Sequence, residues 1–556
     1  MNKKSFVILA GVFALLYIGT LSLRPMYTPD EPRYAEIARE LIIHNDWVVP
    51  KLNNLVYFEK PIMGHWLNAL SLKAFGENAF AVRFSSAFLA LLTALMLGWF
   101  VRRFTDKRLA FITSTIYLTS SLVFGVGTYA VLDTPLNFFI TGTLIAFFCA
   151  YECPKWNHAK IGYLAMAGAF CGGAFLTKGF LAFGFPGSII LVFLLWQKKW
   201  KSIFTLPWIP LLLVVLTAAP WAIMIHQRDG DFWHYFFWIE HIERFIGDKS
   251  SQHPQGWWFF IPVIIAGPLP WTFLILQIIK GYGSKCKEFF KKPLLAYAAC
   301  WVVLPFLLSS ASSGKLITYI LPCFPGIAIL IAFGLNEYFK AGKLKDFNLT
   351  LKILSYTLYT ALTAIAGIQI LFNQGIIKWS LYGTDENYKW AIAAAALVAF
   401  ARLLQIAVKR KDAYEKFGYL VFGTVIVMFA FHMIIPNFIE KTKAPIANFE
   451  KFKASVNDKT ILVSYKNLIS SVCWAFKRDD VYLYHKAGEL IYGLQREDSK
   501  HRLLKEEDFL KMIKKPENHV MIIMNSDKRR KKLPDYESGY WKDKIFIKEY
   551  IKGDIK

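Results

Sequence analysis

Two adjacent carboxylates, Asp30 and Glu31, stand where a polar stretch follows an apolar run, with Pro32 and Arg33 beside them. A carboxylate in such a place can accept a proton or orient an attacking oxygen, and a guanidinium presents a planar fork to phosphate. The structural alternative is a helix start, in which Asp30 caps the helix, Pro32 begins it and the acids complement the positive end of the dipole. These residues alone leave both interpretations open.

A second group of the same kind follows in YFEKPIMGHW, where Glu59, Lys60 and Pro61 precede another predicted helix. Each group places an acid, a base and a proline at the start of a helix. Two charged helix starts in one loop predict a polar site built between them.

Two further charges lie at the ends of apolar runs. Asp133 stands in YAVLDTPLNFF, and a carboxylate at membrane depth costs about 2.5–3.5 kcal/mol, so it normally faces a cavity or a partner. Lys178 occupies a tight turn in LTKGF. The structural alternatives are helix capping by the acid and snorkelling of the lysine to the interface. Lys178 is predicted to pair with Asp30 or Asp133, or to bind a lipid phosphate.

The motifs HIERF and KLITY supply the last candidates. Arg244 in HIERF is a predicted phosphate ligand, whereas His241 is a weaker candidate for a metal because a single histidine lacks the spacing of a ligand cluster. Lys315 and Tyr319 are predicted to lie one turn apart on one helical face. The alternative for Tyr319 is an aromatic residue at the membrane interface.

The elements that must position these residues are membrane helices. The chain has 556 residues, of which 55% are apolar and 17% aromatic. Its mean hydropathy of +0.35 exceeds what a soluble protein of this length would show. Runs of the length that crosses a bilayer recur up to residue 437. Thirteen spans are predicted at about 5–23, 79–101, 109–127, 129–150, 160–177, 179–197, 203–225, 257–280, 293–311, 315–338, 351–373, 388–408 and 416–437.

The loops between these spans sort by charge. Basic residues concentrate in alternate loops, which the positive-inside rule places in the cytoplasm. These loops explain much of the net charge of +25, so nucleic-acid binding is not predicted. The other loops, including 24–78 and 226–256, lie outside, and long loops in compact proteins usually carry function. Every candidate residue named above falls on this outer face.

The first outer loop is predicted to hold two amphipathic helices suited to the membrane interface. One carries Tyr34, Ile37, Ala38, Leu41 and Ile42 on a single face, and the other runs from Pro61 to about Phe75.

Residues 1–437 are therefore assigned to an all-α polytopic membrane domain and residues 438–556 to a small soluble α/β domain outside the membrane. A structural or docking role is the default expectation for the tail. Its predicted strands are 461–465, 481–485, 490–494, 520–524 and 545–550, with a helix at 506–515.

Six motifs occur in an order and topology that resemble the family of lipid A aminoarabinose transferases, which belongs to the GT-C class of membrane glycosyltransferases. The motifs are DEPRYAEIARE, YFEKP, LDTPL, LTKG, HIERF and SGKLITYILP. The resemblance covers nearly the whole chain, although the tail supplies no motif. It departs from the family pattern at Ile62 and Met63, where a second proline is expected after EKP.

The resemblance implies transfer of an amino sugar, such as 4-amino-4-deoxy-L-arabinose, from undecaprenyl phosphate to a lipid A phosphate at the periplasmic face of the bacterial inner membrane, with polymyxin resistance as its consequence. It implies Asp30, Asp133 and Lys178 as catalytic residues, with Asp30 as the base or orienting group. Glu59 and His241 are the candidates for a divalent metal, and no other cofactor is expected. The implied substrate and phosphate ligands are Arg33, Tyr34, Tyr57, Lys60, Arg244, Lys315 and Tyr319.

Two rival functions stay open at this point. A polyprenyl-phosphate-sugar transferase acting on a protein hydroxyl would make Asp30 indispensable, because a neutral hydroxyl needs a base. A lipid flippase or transporter would show inverted repeats and polar residues near midspan, and the sequence displays neither.

Overall fold

The computed structural model describes residues 3–243, 254–283, 286–342 and 344–551. The chain forms two compact units. The membrane unit consists of Met1–Leu23 and Phe84–Ile434, and the polar unit consists of Arg24–Arg83 and Ile435–Lys556. The first outer loop thus folds together with the tail. The boundary predicted at 437/438 stays a prediction.

The described part of the chain contains nine helices long and apolar enough to cross a membrane. Two further helix pairs pass the same test but bend between their halves by 63° and 82°. Two shorter apolar helices, Ile8–Gly19 and Leu181–Trp196, coincide with the remaining predicted spans. The protein is therefore a polytopic membrane protein, and the count of thirteen crossings stays a prediction. The nine helices are Ala79–Phe104, Asp133–Glu152, His158–Lys178, Trp200–Arg228, Pro293–Ala311, Ile317–Lys340, Lys345–Asn373, Thr384–Lys409 and Ala413–Phe431. The bent pairs are Lys107–Leu118 with Ser121–Gly127 and Trp257–Ala266 with Trp271–Tyr282.

The two bent pairs satisfy each other's backbone where their helices are interrupted. The Ser121 amide donates to the Leu269 carbonyl at 3.1 Å, and the Leu122 amide donates to the Gly267 carbonyl at 3.0 Å. A backbone group without a partner is costly inside a bilayer, so an interrupted helix there needs such contacts. Each interruption therefore supplies the hydrogen bonds that the other lacks.

A six-stranded sheet forms the centre of the polar unit. Its first four strands in spatial order run parallel to one another, the fifth is antiparallel to the fourth, and the sixth is antiparallel to the fifth. In spatial order the strands are Leu503–Leu504, Tyr482–Tyr484, Thr460–Tyr465, His519–Met524, Ile545–Tyr550 and Tyr540–Lys542. Four of the five predicted strands are confirmed, and the predicted helix is found as Glu506–Lys514.

The strand predicted at 490–494 is wrong. This segment forms two 3₁₀ turns, Gly488–Leu490 and Gly493–Gln495. A Cβ at Gly493 would lie only 2.9 Å from the Leu55 Cβ, so the segment packs closely over the small hairpin of the first loop. Close packing with a distant part of the chain, and not local propensity, decides its conformation.

The first outer loop completes the hydrophobic core of the sheet. On one face, helix Asp30–Ile43 lies against helix Ile469–Phe476, and helix Met63–Phe75 packs on the first of these. The other face is covered by helix Glu506–Lys514 through Phe509 and Ile513. Loop residues that share one buried cluster with tail residues such as Val472 and Leu483 are Ile37, Leu52, Leu55 and Tyr57.

Helix Asp30–Ile43 is buried on its polar side as well as its apolar side. The Arg39 guanidinium donates to the Glu36 carboxylate at 2.6 Å. Glu40 accepts the backbone amides of Asn53 at 2.5 Å and Asn54 at 2.8 Å. The predicted amphipathic helix is confirmed, with Tyr34, Ile37, Ala38 and Leu41 buried on its apolar face. The rest of the polar unit covers its charged face as well. Its place at the membrane interface stays a prediction.

Candidate active site

A buried carboxylate fixes the start of helix Asp30–Ile43. Glu31 is fully buried and accepts from Arg83 at 2.7 Å and from Arg24 at 2.8 Å. Its Oε2 also accepts the backbone amide of Tyr27 at 2.8 Å. Burial by itself would raise the pKa of Glu31, but the charges of Arg83 and Arg24 outweigh this and lower the pKa to about 2. Glu31 therefore stays ionised and anchors the chain that enters the helix.

Of the predicted helix start, the cap position of Asp30 is wrong, whereas both acids lie in the first turn, where they complement the helix dipole as predicted. Pro29 holds the cap position and makes no side-chain cap bond, and Asp30 is the first helical residue. The Asp30 carboxylate is thus available for another partner, and the carboxylate of Glu31 is taken by the two arginines.

Arg33 joins Asp30 to a residue of the tail. Its Nη2 donates to Asp30 Oδ1 at 2.5 Å, and its Nη1 lies 2.6 Å from both carboxylate oxygens of Glu489. The ion pair that the structure describes for Asp30 is thus with Arg33, one helical turn away, and not with Lys178. The guanidinium lies between two carboxylates whose side chains are about a third exposed, at 32% and 29%.

The second charged group of the loop contributes to the same cluster. The Tyr57 hydroxyl lies 3.2 Å from Glu59 Oε2 and 3.3 Å from Glu489 Oε2. Lys60 Nζ donates to the Glu59 carbonyl at 2.8 Å. Tyr34 lies under the guanidinium of Arg33, with Cζ 5.1 Å from the ring centroid. The structure therefore brings together the six predicted loop residues in what we call the loop cluster: Asp30, Arg33, Tyr34, Tyr57, Glu59 and Lys60.

Glu489 of the tail contacts the loop cluster through Arg33 and Tyr57, and the sequence interpretation missed it. It follows strand Tyr482–Tyr484 after a short connection, and Gly488 before it has a φ of +63°. Ligand sites in open parallel sheets lie beyond the carboxyl ends of the strands. An acid shortly after a predicted strand is therefore the sequence feature that could have identified Glu489. The tail therefore contributes a charged group to the candidate site as well as structural support.

His65 is a second residue that was not singled out. Its ring is fully buried beside Tyr34, with centroids 6.0 Å apart. Within the described residues neither ring nitrogen has a hydrogen-bond partner. Burial, followed by the charges of Arg33 and Lys60, lowers the pKa of His65 to about 3, so the ring is neutral.

The membrane unit holds the other predicted catalytic pair. Lys178 Nζ donates to Asp133 Oδ1 at 2.8 Å, and each side chain is 8% exposed. Asp133 begins helix Asp133–Glu152 and Lys178 ends helix His158–Lys178, so each charge complements its helix dipole. Lys178 Nζ also lies 4.7 Å from the ring centroid of Tyr319. The predicted pairing of Asp133 with Lys178 is confirmed.

Lys315 is placed differently from the prediction. It precedes the 3₁₀ helix Ile317–Cys323 and lies outside any helix, so the argument that it shares a helical face with Tyr319 is wrong. The ammonium is buried and donates to the carbonyls of Ser312 and, at 3.1 Å, Gln255. This contact joins two chain segments in the membrane unit. A phosphate-binding role for Lys315 stays a prediction.

Two predicted residues lie outside what the structure describes. Arg244 belongs to the undescribed segment 244–253, and His241 is described by its backbone alone. The predicted metal pair of Glu59 and His241 therefore stays a prediction. In the polar unit, the Glu59 side chain is buried and accepts the Tyr57 hydroxyl.

Loss of the membrane lysine is expected to leave a buried charge. Lys178→Met should destabilise the membrane unit by about 1–3 kcal/mol, because Asp133 would lose its hydrogen-bonded partner. Thermal unfolding in detergent measures this, with Lys201→Met as the matched exposed control. The double variant Asp133→Asn/Lys178→Met should recover part of the loss. A single variant as stable as the control would contradict the expectation.

Comparison with protein families gives matches to both ends of the chain. Residues 4–236 match the family model described as dolichyl-phosphate-mannose-protein mannosyltransferase. Residues 440–548 match the model described as arabinosyl transferase ArnT, C-terminal domain.

Curated relatives match over almost the full length. The undecaprenyl phosphate-alpha-4-amino-4-deoxy-L-arabinose arabinosyl transferase of Shewanella sediminis is 36% identical over 98% of this chain and 97% of its own length. The protein of the same name from Aeromonas salmonicida is 33% identical over 93% of each chain.

Among solved structures, ArnT from Cupriavidus metallidurans bound to undecaprenyl phosphate matches with a TM-score of 0.83 and covers 99% of both chains. Its sequence identity of 20% limits that likeness to the fold.

Proposed function

Because the chain belongs to the family of undecaprenyl phosphate-alpha-4-amino-4-deoxy-L-arabinose arabinosyl transferases, we propose that it transfers this amino sugar from undecaprenyl phosphate to a phosphate of lipid A. It is a glycosyltransferase that uses a polyprenyl-phosphate sugar. The reaction is placed at the periplasmic face of the inner membrane, which the charge of the alternate loops supports.

The observation that carries the proposal is the arrangement of Arg33 between Asp30 and Glu489, on a chain similar to these transferases over its whole length. A guanidinium matches the geometry of a phosphate. The carboxylates beside it can act as a base or bind a cationic amine. This combination corresponds to a donor with a phosphate on one side and an amino sugar on the other.

The chemistry is an inverting single displacement at the anomeric carbon. An oxygen of the lipid A phosphate forms the new bond, the bond from the sugar to the carrier phosphate breaks, and undecaprenyl phosphate leaves with the electron pair. A phosphate monoester is already anionic near neutral pH, since its second pKa is about 6. Asp30 therefore orients the attacking oxygen or removes its remaining proton, and no nucleotide is needed.

The other members of the loop cluster are assigned to the donor. Arg33 and Lys60 bind the phosphate, Tyr34 and Tyr57 contact the sugar, and the carboxylate of Glu59 suits the amine.

In the membrane unit, Asp133 and Lys178 are assigned to the polar end of a lipid-linked substrate, with Tyr319 beside them. Arg244 and Lys315 remain assigned to phosphate.

Mass spectrometry of lipid A from cells with and without this chain tests the proposal. The expected result is a phosphate-linked amino sugar that disappears when the chain is deleted and returns with the wild-type gene. Purified protein with undecaprenyl-phosphate sugar and lipid A should restore the same mass shift. Unchanged lipid A in the deletion strain would contradict the proposal.

A second candidate function is transfer to a protein hydroxyl. The match of residues 4–236 to the dolichyl-phosphate-mannose-protein mannosyltransferase model favours it. Unchanged lipid A together with lost protein glycosylation in the deletion strain would support this alternative.

Replacing Arg33 by lysine should weaken donor binding. A lysine cannot contact Asp30, Glu489 and a phosphate through one rigid fork, so we expect KM for the donor to rise about tenfold and kcat to change less. Initial rates at varied donor concentration measure this. Lys51→Arg, which changes a cation of the same loop, is the control. An unchanged KM would remove Arg33 from the phosphate site.

A further inference from the structure

A separate polar cavity lies at the far end of the helix that begins with Asp133. It has a volume of about 420 Å³ and is lined where several membrane helices end, including Glu152 of Asp133–Glu152 and Lys340 of Phe324–Lys340. This volume is in the range of pockets that bind small ligands. None of the residues assigned to the proposed function lines it.

Two opposite charges line this cavity without pairing. Among the described residues, Glu152 makes no hydrogen bond or ion pair, and the Lys292 ammonium contacts only the rings of Phe289 at 5.3 Å and Phe333 at 5.2 Å. Charges that share a cavity without contact to each other leave room for a ligand that carries both signs.

The remaining charges of the cavity are already engaged. Asp106 accepts the backbone amides of Arg108 and Leu109, both within 2.9 Å. Glu337 is paired with Lys340 at 2.7 Å. The lining therefore holds three carboxylates against two lysines, and this excess of negative charge disfavours a ligand with a net negative charge.

Part of the cavity wall is apolar. Phe148, Leu295 and Phe333 line it and are buried. The cavity thus presents charges at the ends of membrane helices and apolar side chains within. Charged side chains next to apolar ones match the headgroup of a phospholipid and the first carbons of its acyl chains.

We propose that this cavity binds one phospholipid with a phosphoethanolamine headgroup. Lys292 binds the phosphate, and Glu152 accepts hydrogen bonds from the primary ammonium. Phe148 and Phe333 contact the glycerol and the start of an acyl chain. A headgroup of net charge zero matches the lining better than an anionic one, and a trimethylated ammonium has no N–H to donate.

Native mass spectrometry of the full chain in detergent tests this site. Phosphatidylethanolamine, phosphatidylcholine and phosphatidylglycerol with the same acyl chains are added in turn. We expect about tenfold stronger retention of phosphatidylethanolamine, corresponding to about 1.4 kcal/mol. Glu152→Gln and Lys292→Gln should each remove most of this preference. Glu415→Gln and Lys411→Gln change exposed charges outside the cavity and should leave it intact.

A charge reversal gives a result that misfolding cannot imitate. Glu152→Lys should shift the preference from phosphatidylethanolamine to phosphatidylglycerol, because the lining then carries more lysines than carboxylates. Equal retention of the three lipids by the wild type would overturn the headgroup assignment. Unchanged preference in all cavity variants would overturn the location of the site. Displacement of the lipid by millimolar soluble phosphoethanolamine would show that the site binds the free headgroup compound and not a lipid. None of these readouts depends on sugar transfer.

Discussion

Asp30→Asn is expected to lower the rate of sugar transfer by about a hundredfold or more. A positioned acid or base contributes a factor of about 10²–10⁴ to a rate. The asparagine side chain can neither take a proton from the attacking phosphate nor carry the negative charge of the carboxylate. Transfer in isolated membranes, followed as the mass shift of lipid A over time, measures the loss. Because the wild-type residue keeps Arg33 in place from one side, donor KM should be measured alongside kcat.

The fold should survive this substitution. The guanidinium of Arg33 retains Glu489 as a partner, and the side chain of Asp30 makes no cap bond that the helix would lose. Asp458→Asn, an exposed change in the same unit, is the matched control. Full transfer activity of Asp30→Asn at normal expression would mean that this carboxylate is not catalytic. A lowered melting temperature with unchanged kcat would reduce it to a structural role.

Glu31→Gln is expected to destabilise the polar unit by about 3–5 kcal/mol. The substitution removes the charge of the carboxylate to which Arg24 and Arg83 donate, and breaking a buried ion pair by removing one partner is the costly case. The start of the helix that carries Asp30 and Arg33 should then lose its anchor. Thermal unfolding of the purified protein, with limited proteolysis of the first loop, measures the effect.

An exposed pair in the same unit provides the comparison. Glu77 lies 2.6 Å from Lys477, with side chains 38% and 42% exposed, so Glu77→Gln should cost at most about 1 kcal/mol. If Glu31→Gln is no more destabilising than this control, the three-residue ion pair does not anchor the helix. Glu31→Gln combined with Arg83→Met should be less damaging than Glu31→Gln alone, since one buried charge is removed with its partner.

Local sequence patterns were sufficient to predict the helices and most of the strands. Apolar runs long enough for a bilayer predicted the helices of the membrane unit, because each run is a property of consecutive residues. Short β-branched and aromatic runs predicted four strands of the sheet for the same reason. The charge difference between alternate loops predicts that all candidate residues lie on one face of the membrane.

The ion-pair partners of the charged residues could be assigned only from the tertiary structure. The sequence left Lys178 with Asp30 or Asp133 as alternatives, and the fold pairs it with Asp133. It offered Asp30 as a helix cap and both acids as complements of the helix dipole, whereas burial with two arginines makes Glu31 the anchor and leaves Asp30 beside Arg33.

The sequence by itself determined that this chain is a membrane protein with an acidic pair in its first outer loop and a small α/β tail. Only the tertiary structure decided that loop and tail share one core and that Glu489 contacts Arg33 across 456 residues of sequence. The physical reason is that spans and strands follow from neighbouring residues. An ion pair between distant segments depends on which surfaces the whole chain buries together, and no spacing along the sequence records that.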